Sequence, residues 1–144
     1  MNTEVRDFEG FKASLRCFDY LDGVLPGASD IDLLCEVDNR FLVLEGKPRE
    51  GPQVWVPYGQ WRALLALAGQ AAFTVWLVAD DQKAKQDETV SRYALLRLTT
   101  DLEPDVPCRR HNGVKSVAFF TDHRFEHLTL SGLQDCLLEW RDAA

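Results

Sequence analysis

Ser29-Asp30-Ile31-Asp32-Leu33-Leu34-Cys35-Glu36-Val37-Asp38-Asn39-Arg40-Phe41-Leu42-Val43-Leu44-Glu45-Gly46-Lys47 is the stretch whose reading decides the fold. Ile31, Leu33, Cys35 and Val37 alternate with Asp32, Leu34, Glu36 and Asp38, and a period of two marks a strand. Asp38-Asn39-Arg40 is short and tolerates positive φ, so it predicts a hairpin turn into a second strand, Phe41 to Lys47. The run Phe41-Leu42-Val43-Leu44 is apolar on both faces, which predicts a central strand covered on both sides. Because side chains alternate along a strand, Glu45 and Lys47 project to one face. Asp32, at the start of the neighbouring strand, is the carboxylate that can meet them there.

Upstream of this stretch, Thr3 serves as an N-cap and Val5, Phe8, Phe11 and Leu15 recur at helical spacing, which predicts an amphipathic helix over about residues 4–16. Asp22-Gly23 and Pro26-Gly27 are turn signals that lead into the first strand. Downstream, three prolines and Gly51 between Pro48 and Pro57 predict a loop. Trp61, Leu64, Leu65 and Ala68 mark a helix that opens at Gly59-Gln60 and ends at Gly69. Strands are expected over Ala72–Ala79, Val90–Thr99 and Lys115–Thr121, with polar residues 80–88 forming a turn region and residues 100–113 an irregular connection. Leu130, Leu133, Leu137 and Trp140 define a C-terminal helix. The helix between the second and third strands calls for a parallel crossover, so the fold class is α/β: a central mixed β-sheet flanked by helices.

The 144 residues fit one domain, 1–144, able to bury roughly 68–70% of the unfolded chain's surface. Apolar residues at 46% and charged residues at 27% match a soluble protein, with no apolar run long enough to span a bilayer. No basic segment followed by an apolar one opens the chain, so a cytoplasmic setting is expected. The four cysteines, Cys17, Cys35, Cys108 and Cys136, are scattered, which reads as buried free thiols rather than disulfides. Cys108-x-x-His111 and His123-x-x-x-His127 each have the spacing of half a zinc site, and neither has a second half.

Asp32, Glu45 and Lys47 together suggest phosphodiester hydrolysis. That reaction needs a hard cation to polarise the phosphoryl oxygen and activate water, and Mg²⁺ prefers carboxylate and water oxygens. Two acids and a backbone carbonyl, that of Glu45 or Gly46, would suit Mg²⁺ or Mn²⁺. Lys47 would stabilise developing negative charge or orient the attacking water. An acid, any residue and a lysine recur by chance about once in a chain of this size, and Asp81-Gln82-Lys83 is a second match here. That match lies in a polar turn with no apolar strand before it, and is read as a solvated loop.

Ser-Asp-Ile-Asp, a short hairpin, a hydrophobic strand closing on Glu-Gly-Lys and a helix beginning Gly-Gln-x-x-x-Leu-x-x-Leu resemble the core of the PD-(D/E)XK nuclease superfamily, particularly its phage and Holliday-junction-resolvase-like members. The resemblance covers residues 29–79. It implies a restriction-endonuclease-like α-β-β-α-β core and a Mg²⁺- or Mn²⁺-dependent endonuclease acting on DNA, bacterial or phage-encoded. It also implies Asp32 and Glu45 as metal ligands, with Gly46 between Glu45 and the catalytic Lys47. Gln60 would be an auxiliary polar residue, and Glu4 or Glu9 an acid on the first helix. The proline expected before the aspartate is absent here. Asp30, two residues before Asp32 on the same face, is a secondary ligand or a turn cap.

Trp55, Tyr58 and Trp61 fall beside this site with Arg49 and Arg62 interleaved, and aromatics with arginines can stack bases and hold phosphates. Lys83, Lys85, Arg109, Arg110 and Lys115 could supply a basic rim. The net charge of −7 predicts weak free-standing affinity for DNA, or help from a second copy in a homodimer or from a protein partner. The rival expectation is a non-catalytic protein of the same fold that binds nucleic acid, inhibits, or serves as a scaffold in a complex.

Overall fold

The computed structural model describes residues 31–81 and 91–143. The helix expected over residues 4–16 lies outside them, with Glu4 and Glu9, and so do Cys17, Asp30, Lys83 and Lys85. The described chain runs through β1 (Leu33–Val37), β2 (Arg40–Pro48), β3 (Gln53–Pro57), α1 (Tyr58–Ala68), β4 (Phe73–Asp80), β5 (Tyr93–Arg97), β6 (Val106–His111), β7 (Val114–Phe120), β8 (Glu126–Leu128) and α2 (Leu130–Asp142).

Asp38 and Asn39 take φ values of 51° and 63°, the paired positive angles that let a two-residue turn follow the twist of its strands. Their turn sets the β1–β2 register, Val37 against Arg40 through Leu33 against Leu44. On its other side β2 pairs in parallel with β4, Phe41 against Phe73 through Pro48 against Asp80. A strand flanked on both sides and covered on both faces must be apolar throughout. Leu42 and Val43, adjacent and pointing opposite ways, are accordingly both buried.

The larger sheet is mixed, in the order β1-β2-β4-β5-β8, and a second, antiparallel sheet has the order β3-β7-β6. One face of the larger sheet packs against α1 and the small sheet, around Val43, Val54, Val56, Trp61, Leu77 and Phe119. The other packs against α2 through Leu42, Trp76, Leu95 and Cys136, with Leu137 and Trp140 at the margin. The result is a mixed α/β domain, richer in strands than in helices, with the two described helices on opposite faces of the larger sheet.

The small sheet is where the sequence expectations fail. Residues 48–57, expected as a loop, contain β3, and residues 100–113, expected as irregular, contain β6. Prolines account for the difference in both places. In β3 they fall at Pro52, just before the strand, and at Pro57, its last residue, while Val54 and Val56 alternate inward with no exposed surface. Pro107 lies in β6, an edge strand whose register shifts between Val106 and Arg109, and a strand edge or bulge tolerates a missing N–H. Asn112-Gly113, with φ of 50° and 80°, is the hairpin signal that would have exposed β6 and β7 as a pair. The three-residue β8 was also unforeseen, and β5 is shorter than the expected Val90–Thr99. Cys35, expected to be buried, is exposed on edge strand β1, whereas Cys136 is buried and Cys108 partly so; all three are free thiols.

Candidate functional site

Leu33 faces Leu44 in the β1–β2 ladder, so one further antiparallel step sets Asp32 opposite Glu45. The two acids therefore reach the same face at the end of β2. Asp32 leans across to accept a hydrogen bond from the Gly46 backbone N–H at 2.8 Å. In a strand a residue's N–H and C=O project to the same side, so the Gly46 carbonyl is also turned toward Asp32. A Cβ on Gly46 would lie 3.4 Å from Asp32 Oδ2, in van der Waals contact with the carboxylate.

Glu45 is only 3% exposed. Its β4 neighbours in register are Leu77, with Ala79 beside Lys47, and both are completely buried and apolar. The first turn of α1 supplies Gln60, whose Nε2 donates to Glu45 Oε1 at 2.6 Å. Lys47, on the same face of β2, holds its Nζ 3.6 Å from that oxygen. Two acceptors remain: Glu45 Oε2 and Gln60 Oε1 are both buried without a hydrogen-bond partner. Burial, first, and the neighbouring Asp32 charge, second, hold the Glu45 carboxyl above its ordinary range, with Lys47, the Asp32 backbone and Gln60 opposing them.

A buried unpaired acceptor is costly. Two that belong to facing side chains, beside a second carboxylate, describe a place that wants positive charge or a donor. A hard divalent cation fits this donor set. Mg²⁺ binds through one or two carboxylates and keeps its remaining positions for water and substrate oxygens, so two acids suffice. Among the described residues no group of three or more His, Cys, Asp and Glu side chains is placed to hold a metal. The spacings Cys108-x-x-His111 and His123-x-x-x-His127 accordingly do not converge on one. His111 binds Glu50 at 2.9 Å and His123 faces Asp105 at 3.5 Å.

The sequence candidates thus divide in two. Asp32, Glu45, Gly46, Lys47 and Gln60 come together. Arg49 turns to the Gly51 carbonyl at 3.3 Å, and Trp55 stacks flat on His111 with ring centres 4.1 Å apart. Tyr58 lies beside Arg62 and Lys115. Trp61 is core, edge-on to Phe119. The Glu50–His111–Trp55 cluster was not foreseen, because the strand pairing that assembles it was not.

No protein-family model matches the chain, and no curated protein matches it in sequence.

Proposed function

We propose that the chain is a divalent-metal-dependent endonuclease with a restriction-endonuclease-like core, hydrolysing DNA phosphodiester bonds. The observation that carries this reading is the buried Glu45 carboxylate, left with an unpartnered oxygen beside Asp32, Lys47 and an unpartnered Gln60 oxygen. Asp32, Glu45 and the Gly46 carbonyl would hold Mg²⁺ or Mn²⁺. When bound, the cation supplies Lewis acidity toward a phosphoryl oxygen and lowers the pKa of water.

The protein's own residues do the rest. Gln60 fixes the rotamer of Glu45 by donating to Oε1, so that Oε2 is the free oxygen. Gly46 fixes Asp32 through its backbone N–H. Lys47 shares the site with one hydrophobic wall, Leu77 and Ala79, where its charge is screened less than in water and so acts more strongly on the developing charge of the pentavalent phosphoryl group. The exposed Asp32 marks the side from which substrate and water enter.

Linear, branched and single-stranded DNA incubated with Mg²⁺ or Mn²⁺ test this reading, with Asp32→Ala and Lys47→Ala as comparisons. Cleavage by the parent alone is expected. Equal residual cleavage by all three proteins would end the proposal. The net charge of −7 favours a second reading, in which the same site is retained in a nucleic-acid-binding, inhibitory or scaffold component that does not cut. Calorimetric metal binding abolished by Asp32→Ala, with no cleavage of any substrate, is its signature.

A further inference from the structure

The described cations fall into two groups. Lys47, Arg92, Arg97, Arg124 and Arg141 each pair with a carboxylate. Arg40 and Arg49 turn to backbone carbonyls, and Arg62, Arg109, Arg110 and Lys115 likewise have no carboxylate partner among the described residues; of these, Arg62, Arg110 and Lys115 gather at one corner. The Arg62 guanidinium carbon lies 5.9 Å and the Lys115 amine 5.0 Å from the centre of the Tyr58 ring. Arg110 stands directly opposite Lys115 in the β6–β7 register, and its guanidinium reaches the Gly113 carbonyl at 3.0 Å. All three cations are exposed.

Like charges facing across a strand pair repel each other. A chain with 23 acids and 16 Lys and Arg is rich in carboxylates, and none of those among the described residues pairs with these three cations. The start of α1 adds to the positive field: Pro57 precedes it, no side chain caps it and its first turn holds no acid. The N–H groups of a helix's first turn carry partial positive charge. The Tyr58 ring attracts both cations through its π-face and so fixes where they stand. With two cations already over it, this ring is a support for charge rather than a platform for a base.

We propose that Arg62, Lys115 and Arg110, supported by Tyr58, bind the phosphodiester backbone of a DNA strand without reading its sequence. The track runs from the Asn112-Gly113 hairpin to the first turn of α1, the turn that presents Gln60 to Glu45. It rests on the nuclease reading for the identity of the anion. Phosphates alone touch it, so strands of different sequence bind alike.

Fluorescence anisotropy of the full chain with labelled single-stranded and duplex DNA, in EDTA so that nothing is cut, tests the track across a salt series. The double variant Arg62→Gln/Lys115→Gln is expected to bind about tenfold more weakly at 0.1 M salt, with a salt slope shallower by about two. Poly-dT and mixed-sequence strands should behave alike, and Arg141→Gln, on α2, should match the parent. Arg110→Gln, on β6, gives a second variant whose folding does not depend on the Tyr58 contacts, and it should lower the slope by about one. Unchanged affinity and slope in both variants overturn the proposal, as do the absence of binding by the parent and displacement by polyglutamate as effective as by DNA. A parent that binds in this way but never cleaves leaves the track standing and removes the nuclease reading. A parent that cleaves, with variants that bind and cleave equally well, does the reverse.

Discussion

The two ends of β2 are built on opposite principles. At its start, Arg40 donates to the Trp140 and Arg141 carbonyls, both at 3.0 Å, and lies over the Trp140 ring at 4.8 Å. Those are the carbonyls that the end of α2 leaves without helical partners. Arg40 and the two carbonyls there answer one another. At the other end, five residues on, Glu45 is buried with one oxygen unpartnered, Asp32 stands beside it and Gln60 adds a second orphan acceptor. The helices repeat the contrast. Thr129 caps α2 by accepting from Gly132 N–H at 3.1 Å, whereas α1 begins at Pro57 with no cap. One side of the sheet is satisfied internally, and the other is left short of positive charge at its acids and of negative charge at the helix start.

The largest effects should appear where the shortage is greatest. Asp32→Ala removes one of two carboxylates and, with it, the group that fixes Gly46; DNA cleavage is expected to fall to background and calorimetric Mn²⁺ binding to disappear. Lys47→Ala leaves both acids in place. Metal binding should persist while the turnover rate drops about 10²- to 10³-fold, the effect of removing one preorganised charge-stabilising group. If the two variants lost metal binding equally, Lys47 would be serving to hold the acids together rather than to act on the substrate.

Much of this contrast was legible in the sequence because it depends on local pattern. The alternation from Ile31 to Val37, the Asp38-Asn39 turn and the apolar run into Glu45 fix the hairpin, and the hairpin fixes which carboxylates face each other. The helix from Tyr58 follows from the spacing of Trp61 and Leu64, and its first turn brings Gln60. What was not legible depends on pairing between distant segments. Val54 and Val56 read as strand only once β7 is there to receive them, and prolines on either side concealed them. Lys115 and Arg110 could be named as basic residues, but only the β6–β7 register sets them side by side and brings Lys115 to Tyr58. The orphan oxygens are likewise a property of packing, since a sequence cannot reveal that Glu45 finds one donor and not two.

Glu45 itself gives a more moderate effect with a defined sign. Burial and Asp32 raise its pKa in the folded protein, so the native state holds its proton to higher pH than the unfolded chain does. Stability contributed by this group is therefore greatest below the ordinary glutamate pKa and is lost as pH rises toward the raised native value. In metal-free protein, melting temperature should decline across that window. Glu45→Gln should flatten the decline and raise the melting temperature at neutral pH, because the amide carries no charge to bury at a site where burial outweighs the Lys47 contact. Added Mn²⁺ should recover the parent at neutral pH and leave Glu45→Gln little changed. A parent whose stability rises with pH over this range would mean that Glu45 is already neutralised within the fold.

The smallest effects compare the two helix starts. Thr129→Ala deletes a working cap and should cost about 1 kcal/mol in denaturant unfolding. At α1 the same logic runs in reverse. Gly59→Glu places an acid in a first turn that has none and replaces an exposed glycine inside the helix, which together should stabilise by about 1 kcal/mol. A helix start kept vacant for an anion would lose that vacancy in the same step. The variant is thus expected to unfold at higher denaturant and to bind DNA more weakly, whereas a merely neglected helix end would gain the stability with no change in binding.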